Sequence, residues 1–293
     1  MNGLHPSADE EQIFIREMVN SPELIDYITS HKDEYTAFVY IPYMFGTTYH
    51  GIAACPEKAV MIPCFHDEAY IYMDIFKQMY SKVAGMIFNA RPELELTERV
   101  YDTAAVQKIV MGIGMDTNLT SNPAAFRKKF NINEPFIIYA GRKDQGKNVH
   151  TLLKYFGEYK RRKPSDLKLV LIGGGEIDIP ASAKADVINL GFVDRQDKYD
   201  ACGAAEFLCQ PSKNESFSLV IMESWLAERP VLVNGKGELQ VLKGVYVLAF
   251  DGVAAFSDGT AGRVRSAQYA TMLDAVSLTE DEAVGKLKLL ELQ

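Results

Sequence analysis

The chain has 293 residues, a formal charge of −8 at pH 7, 47% hydrophobic residues and 24% charged ones. That composition excludes a disordered polymer, and the net negative charge excludes a protein that grips nucleic acid through a broadly basic surface. The length suffices for two α/β domains of ordinary size, and a phosphate can still be held locally by backbone amides and one or two cations.

The first residues, MNGLHPSADEEQ, are polar and acidic and do not read as a signal peptide. Apolar runs are of strand length, short of the eighteen or so residues a membrane span requires. A cytoplasmic protein is expected, with any membrane contact peripheral. Cys55, Cys64, Cys202 and Cys209 show no paired ligand spacing and read as buried reduced thiols.

Short apolar runs alternate with amphipathic ones. TAFVYIP (36–42), KAVMIPCF (58–65), KVAGMIFN (82–89) and KIVMGIG (108–114) read as buried parallel strands, with helices expected over 21–34, 67–81 and 92–102. Ser21 is a good helix cap, Pro22 suits the first helical position, and Asp67 could cap the next helix. The turn-rich stretch 111–134 interrupts the alternation, and 121–134 is taken as a linker between a first domain at 1–120 and a second at 135–293.

The alternation then resumes. PFIIYAG (135–141), LKLVLIGG (167–174), DVINLG (186–191), AEFLCQ (205–210) and PVLVN (230–234) read as strands. Helices are expected from Val149 to about Arg162, at RQDKYDACG and over 218–228. Such repetition implies parallel sheets covered by helices, with ligands at the carboxyl ends of the strands. Beyond Gly244 the texture changes to a Gly-, Ala-, Val- and Asp-rich tail with weak periodicity.

The chemistry concentrates in PSKNESFSLVIMESWLAERPVLVN. Pro211 and Ser212 end a strand, Glu215 follows in a loop, a helix starts near Ser216, Phe217 and Ser218, and seven residues separate Glu215 from Glu223. A helix N-terminus offers unpaired amides suited to a diphosphate, and carboxylates beside it can accept hydrogen bonds from hydroxyls. FIIYAGRKDQGKN (136–148) is a strand, a tight turn and a cluster of cations before a helix. It nearly spells a P-loop through Gly141, Gly146 and Lys147, but Asn148 replaces the magnesium-binding Ser or Thr. No Asp-x-Asp motif stands in the chain, so no metal is expected.

The Pro-Ser, Glu, seven-residue, Glu and Pro-Val sequence resembles the donor site of the retaining glycosyltransferases of family 4 (glycosyl transferases group 1), which include sucrose synthase and bacterial lipopolysaccharide and mannosyl transferases. The resemblance implies a GT-B fold of two Rossmann-like domains. Only about four strands precede the linker, so the N-terminal domain is expected to be incomplete. It implies a sugar moved with retention from a UDP- or GDP-sugar to a glycan or lipid-linked acceptor, as in cell-surface polysaccharide synthesis, without a cofactor. Arg142 and Lys147 match the positions that hold the donor diphosphate. Glu215 would orient the sugar and Glu223 would bind the ribose. Gly174 would lie at the nucleotide crevice, with Phe192 and Val193 lining the base pocket. His66, just past a strand in the first half, is a candidate for sugar contact. Ser216, Ser218 and Glu228 stand where that family commonly has glycine. Lys198 reads as a solvated helix residue, and the basic run 160–163 as a solvated helix end. A non-catalytic nucleotide-sugar-binding fragment or partner subunit is the alternative reading.

Overall fold

The acidic opening segment is a helix. Ser7 Oγ accepts from Glu10 N while the Glu10 carboxylate accepts from Ser7 N, a reciprocal cap that starts α1 (Ala8–Glu17). A second cap, Ser21 with Pro22 at the first position, starts α2 (Pro22–His31) as expected. The computed structural model describes residues 6–114, 116, 118–213, 215 and 218–233, with the backbone of 247–249. Ser216, Phe217 and, apart from that short backbone segment, the tail after Gly244 lie outside the described residues.

The chain divides into two units, Met1–Gly114 and Met115–Gln293. In the first, β1 (Phe38–Tyr40), β2 (Ala59–Met61), β3 (Gly85–Phe88) and β4 (Gln107–Val110) form a parallel sheet in the order β1-β2-β3-β4. The intervening helices are α3 (Gly46–Ala54), α4 (Asp74–Tyr80) and α5 (Arg91–Val100). Right-handed crossovers between strands in simple sequential order place every connection on the same face. One core follows, in which Tyr40, Met61, Met86 and Phe88 pack with Ile15, Ile28, Ile52, Phe76 and Leu96 from all five helices. Side chains of the opposite face stay open: Val39, Ile41 and Ile109 are each more than half exposed.

The helix expected over 67–81 is a short 3-10 turn at Ala69–Tyr72 followed by α4. The buried Glu11 carboxylate of α1 accepts from Asp74 N and Ile75 N, both at 2.9 Å, and so sets where α4 begins. Asp67 caps no helix and accepts instead from Tyr72 Oη at 2.7 Å.

In the second unit, β5 (Phe136–Ala140), β6 (Lys168–Ile172), β7 (Val187–Gly191), β8 (Leu208–Gln210), β9 (Val231–Val233) and β10 (Val247–Ala249) form a parallel sheet in the order β10-β9-β8-β5-β6-β7. Renumbered within the unit this is the doubly wound 3-2-1-4-5-6 order, whose direction reverses between β5 and β8. Helices therefore cover both faces. Ile137, Tyr139, Leu169 and Leu171 face Leu152, Leu153 and Phe156 of α7 (Val149–Arg162). Phe136, Ile138, Val170 and Ile172 face the other side. There they meet Phe126 of α6 (Pro123–Phe130), Ala201 of α8 (Arg195–Ala204) and Ile221 of α9 (Leu219–Leu226).

Helix α6 corrects the linker expectation for 121–134. Asn122 caps it, Pro123 occupies its first turn, and the buried Phe126 and Ile132 tie it to the second sheet's core. The run is too short and too rich in turn formers for periodicity to reveal it. The basic cluster at the end of α7 also departs from a solvated end: Lys160 is buried, donating to Ser165 O and Leu167 O and lying 3.2 Å from Asp186. Arg161 and Arg162 pair with Glu158. All four cysteines are free, with Cys55, Cys202 and Cys209 buried and Cys64 half-buried.

Candidate functional site

Because strand order reverses between β5 and β8, the loops after these two strands flank the natural crevice of the second unit. Three neighbouring strand ends are built of glycine. Gly173 after β6 has φ +118, and a Cβ there would lie 2.1 Å from the Gly141 carbonyl oxygen. Gly141 N donates to Ile172 O, and Gly173 N donates to Gly191 O at the end of β7. Gly174 borders open space, since a Cβ there would meet nothing within 4 Å. Lys143 fastens this floor: its backbone N–H donates to Gly174 O and its ammonium to Gly173 O. Burial holds that ammonium below the usual lysine range.

Across the crevice, the Lys147 ammonium lies 3.0 Å and 2.9 Å from the two carboxylate oxygens of Glu215. The pair is largely enclosed, with side-chain exposures of 24% and 9%. Gln210, the last residue of β8, is buried and donates from Nε2 to Glu215 Oε1 at 3.0 Å and to Ser218 Oγ at 3.3 Å. Asn148 adopts left-handed backbone (φ 57), and its side chain donates to Pro211 O, tying one loop to the other. The near P-loop is thus a different structure, with its lysine turned onto Glu215 and its asparagine onto the opposite loop.

Glu223, on α9, is buried and receives Lys198 Nζ of α8 on Oε1 at 2.6 Å. Lys198 is therefore an ion-pair member rather than a solvated helix residue. Arg142 is 79% exposed, with Nε 3.6 Å from Asp144. Phe192 is also exposed, at 87%, while Val193 packs against the core. Glu228 has φ 58, a conformation glycine adopts at less cost, which explains the glycine preference noted for that position.

Buried side-chain atoms without a hydrogen-bond partner among the described residues gather here: Gln210 Oε1, Ser212 Oγ and Glu223 Oε2. Sequence reasoning missed Gln210, Lys143 and the role of Lys198. A polar residue closing the apolar strand AEFLCQ was the available signal for Gln210. No three His, Cys, Asp or Glu side chains converge among the described residues. No described helix is long and apolar enough to cross a membrane.

In the first unit, His66 is half-buried with Nδ1 lacking a partner among the described residues. Its loop is held from below by Glu93, which is wholly buried and accepts from Phe65 N at 2.9 Å and Asn89 N at 2.8 Å. Burial raises the Glu93 carboxyl from 4.5 to about 7 although these amides pull the other way. Between those values the unfolded carboxyl is ionised while the folded one stays protonated, so the contribution of Glu93 to stability is fully present below 4.5 and declines as pH rises to about 7. Glu93→Gln should flatten this decline in melting temperature measured across that window. An unchanged slope would assign the titration to another group.

Residues 122–243 match the family model described as Glycosyl transferases group 1. The chain is 27% identical over 184 residues to a D-inositol 3-phosphate glycosyltransferase of Saccharomonospora viridis, covering 56% of this chain and 43% of that protein. It is 26% identical over 199 residues to its namesake in Xylanimonas cellulosilytica, covering 60% and 47%. The matched stretch thus spans less than half the length of these curated relatives. Among solved structures, Anabaena HepE in complex with UDP is similar with a TM-score of 0.64 at 16% identity, covering 93% of this chain and 80% of that one. A sucrose-phosphate synthase from Thermosynechococcus elongatus also scores 0.64 at 16% identity, covering 98% and 76%. The fold is that of the GT-B glycosyltransferases.

Proposed function

We propose that the protein is a retaining, metal-independent glycosyltransferase that moves a sugar from a UDP- or GDP-sugar to a glycan or lipid-linked acceptor. The observation that carries this reading is the enclosed Lys147–Glu215 pair at the reversal point of the second sheet, with Glu223 on the adjoining helix. An ammonium has three donors. Two contacts go to Glu215, leaving one N–H of Lys147 for a diphosphate oxygen. Arg142, exposed and loosely paired, adds a second cation. The bond from the sugar's anomeric carbon to the diphosphate oxygen breaks as the bond to the acceptor oxygen forms on the same face, and the two cations stabilise the charge on the departing diphosphate. That diphosphate takes the acceptor's proton. Glu215 accepts hydrogen bonds from sugar hydroxyls, and Glu223 from the ribose.

The UDP named with the HepE structure supports a nucleoside diphosphate as the donor's leaving part. A lipid-linked acceptor would place the work at the inner face of a membrane, in cell-surface polysaccharide synthesis. Calorimetric titration with UDP- and GDP-sugars, followed by a donor-hydrolysis assay, tests the reading. Binding with slow hydrolysis is expected, and Glu215→Ala and Arg142→Ala should each weaken turnover at least tenfold, roughly one lost charged hydrogen bond. Binding without any turnover would favour a non-catalytic nucleotide-sugar-binding subunit. Unchanged behaviour of both variants would end the proposal.

A further inference from the structure

The surroundings of Glu223 contain more than the donor motif defines. Arg195, Lys198, Tyr199 and Cys202 recur on α8 at spacings that share one helix face. Lys198 Nζ lies 4.9 Å from the Tyr199 ring centre, and Arg195 Nε donates to Tyr199 Oη at 2.6 Å while its guanidinium lies 5.4 Å from the same ring. Tyr199 thus braces both cations. Cys202 is buried, which pushes its thiol up to about 12, and the 2.6 Å contact from Lys198 Nζ sets the Glu223 carboxylate against this face. Lys198 clamps Oε1, whereas Oε2 is buried with no partner among the described residues. A buried carboxylate oxygen without a donor is costly, so its retention points to a donor brought by a ligand.

We propose that Lys198 is a positioning residue for nucleoside recognition: by holding Glu223 Oε1 it fixes the carboxylate so that Oε2 accepts a ribose hydroxyl of the nucleoside diphosphate. The inference rests on the donor-site reading above. A glutamate side chain has several rotatable bonds, and ordering it at the moment of binding would cost affinity. The ammonium, 30% exposed beside a carboxylate only 9% exposed, orders it beforehand. Without that partner a buried carboxylate turns toward water or takes up a proton, and in either state it is a poorer acceptor for the ribose.

The test compares UDP with 2′,3′-dideoxy-UDP, and the matching guanosine pair in parallel, by calorimetry on the full chain. Wild type should prefer the intact ribose by about tenfold, the size expected for a hydrogen bond to a charged group. Lys198→Met should lose most of that preference while binding the dideoxy ligand as wild type does, and Lys198→Arg should restore it. Equal weakening toward both ligands in Lys198→Met would make Lys198 merely structural and overturn the proposal. Wild-type binding that ignores the ribose hydroxyls would overturn it too, while leaving diphosphate recognition intact. Failure of wild type to bind either nucleotide would sink the donor-site reading and this inference with it.

Discussion

Lys147→Met is expected to reduce sugar transfer by about 10²–10³-fold, the effect of removing one group that stabilises charge developing in a transition state. The same change should lower stability, because Glu215, with its side chain 9% exposed, loses the cation it faces at 2.9 Å. Breaking such an enclosed pair from one side costs about 3–5 kcal/mol. Gln210 still donates to Glu215 Oε1, so the loss should fall at the lower end of that range. A double variant, Lys147→Met with Glu215→Gln, separates the two consequences. Neutralising the stranded carboxylate should recover most of the melting temperature and none of the activity. If the double variant melts as low as the single one, the ion pair is not what the lysine contributes to stability. If Lys147→Met transfers sugar at the wild-type rate, the assignment of the leaving-group cation is wrong.

Gly173→Ala should destabilise the second unit by about 3 kcal/mol, combining overpacking with a backbone conformation unsuited to a side chain. The added Cβ would sit 2.1 Å from Gly141 O and 2.7 Å from Gly141 C, both backbone atoms fixed by the β5–β6 ladder. The φ of +118 is itself one that an alanine rarely adopts. In a unit of this size such a loss lowers the melting temperature by roughly 10 °C. Gly174→Ala is the control: nothing lies within 4 Å of its Cβ, and a change of no more than about 0.5 kcal/mol is expected. Equal melting temperatures for the two variants would show that the β5 and β6 loops can separate at little cost.

Much of this was legible in the residues. The apolar runs at 135–141 and 167–174 became β5 and β6 because side chains buried on both faces leave an unbroken hydrophobic signature. The spacing of Glu215 and Glu223 placed one in a loop and one on a helix, as found. Weaker local signals failed. Helix α6 is a single short element inside turn-forming sequence, and α4 starts where Glu11, 63 residues earlier, supplies its cap.

Pattern and motif by themselves determined that the second half is a doubly wound α/β unit and which carboxylates and cations it presents, since periodicity and turn chemistry are local properties. Only the tertiary structure decided who faces whom. Lys147 is 68 residues from Glu215, and Lys198 is 25 residues from Glu223. A solvated lysine and an ion-paired one have the same local sequence. The difference between them arises when a reversal of strand order, and the packing of α8 beside α9, bring distant charges into one enclosed space.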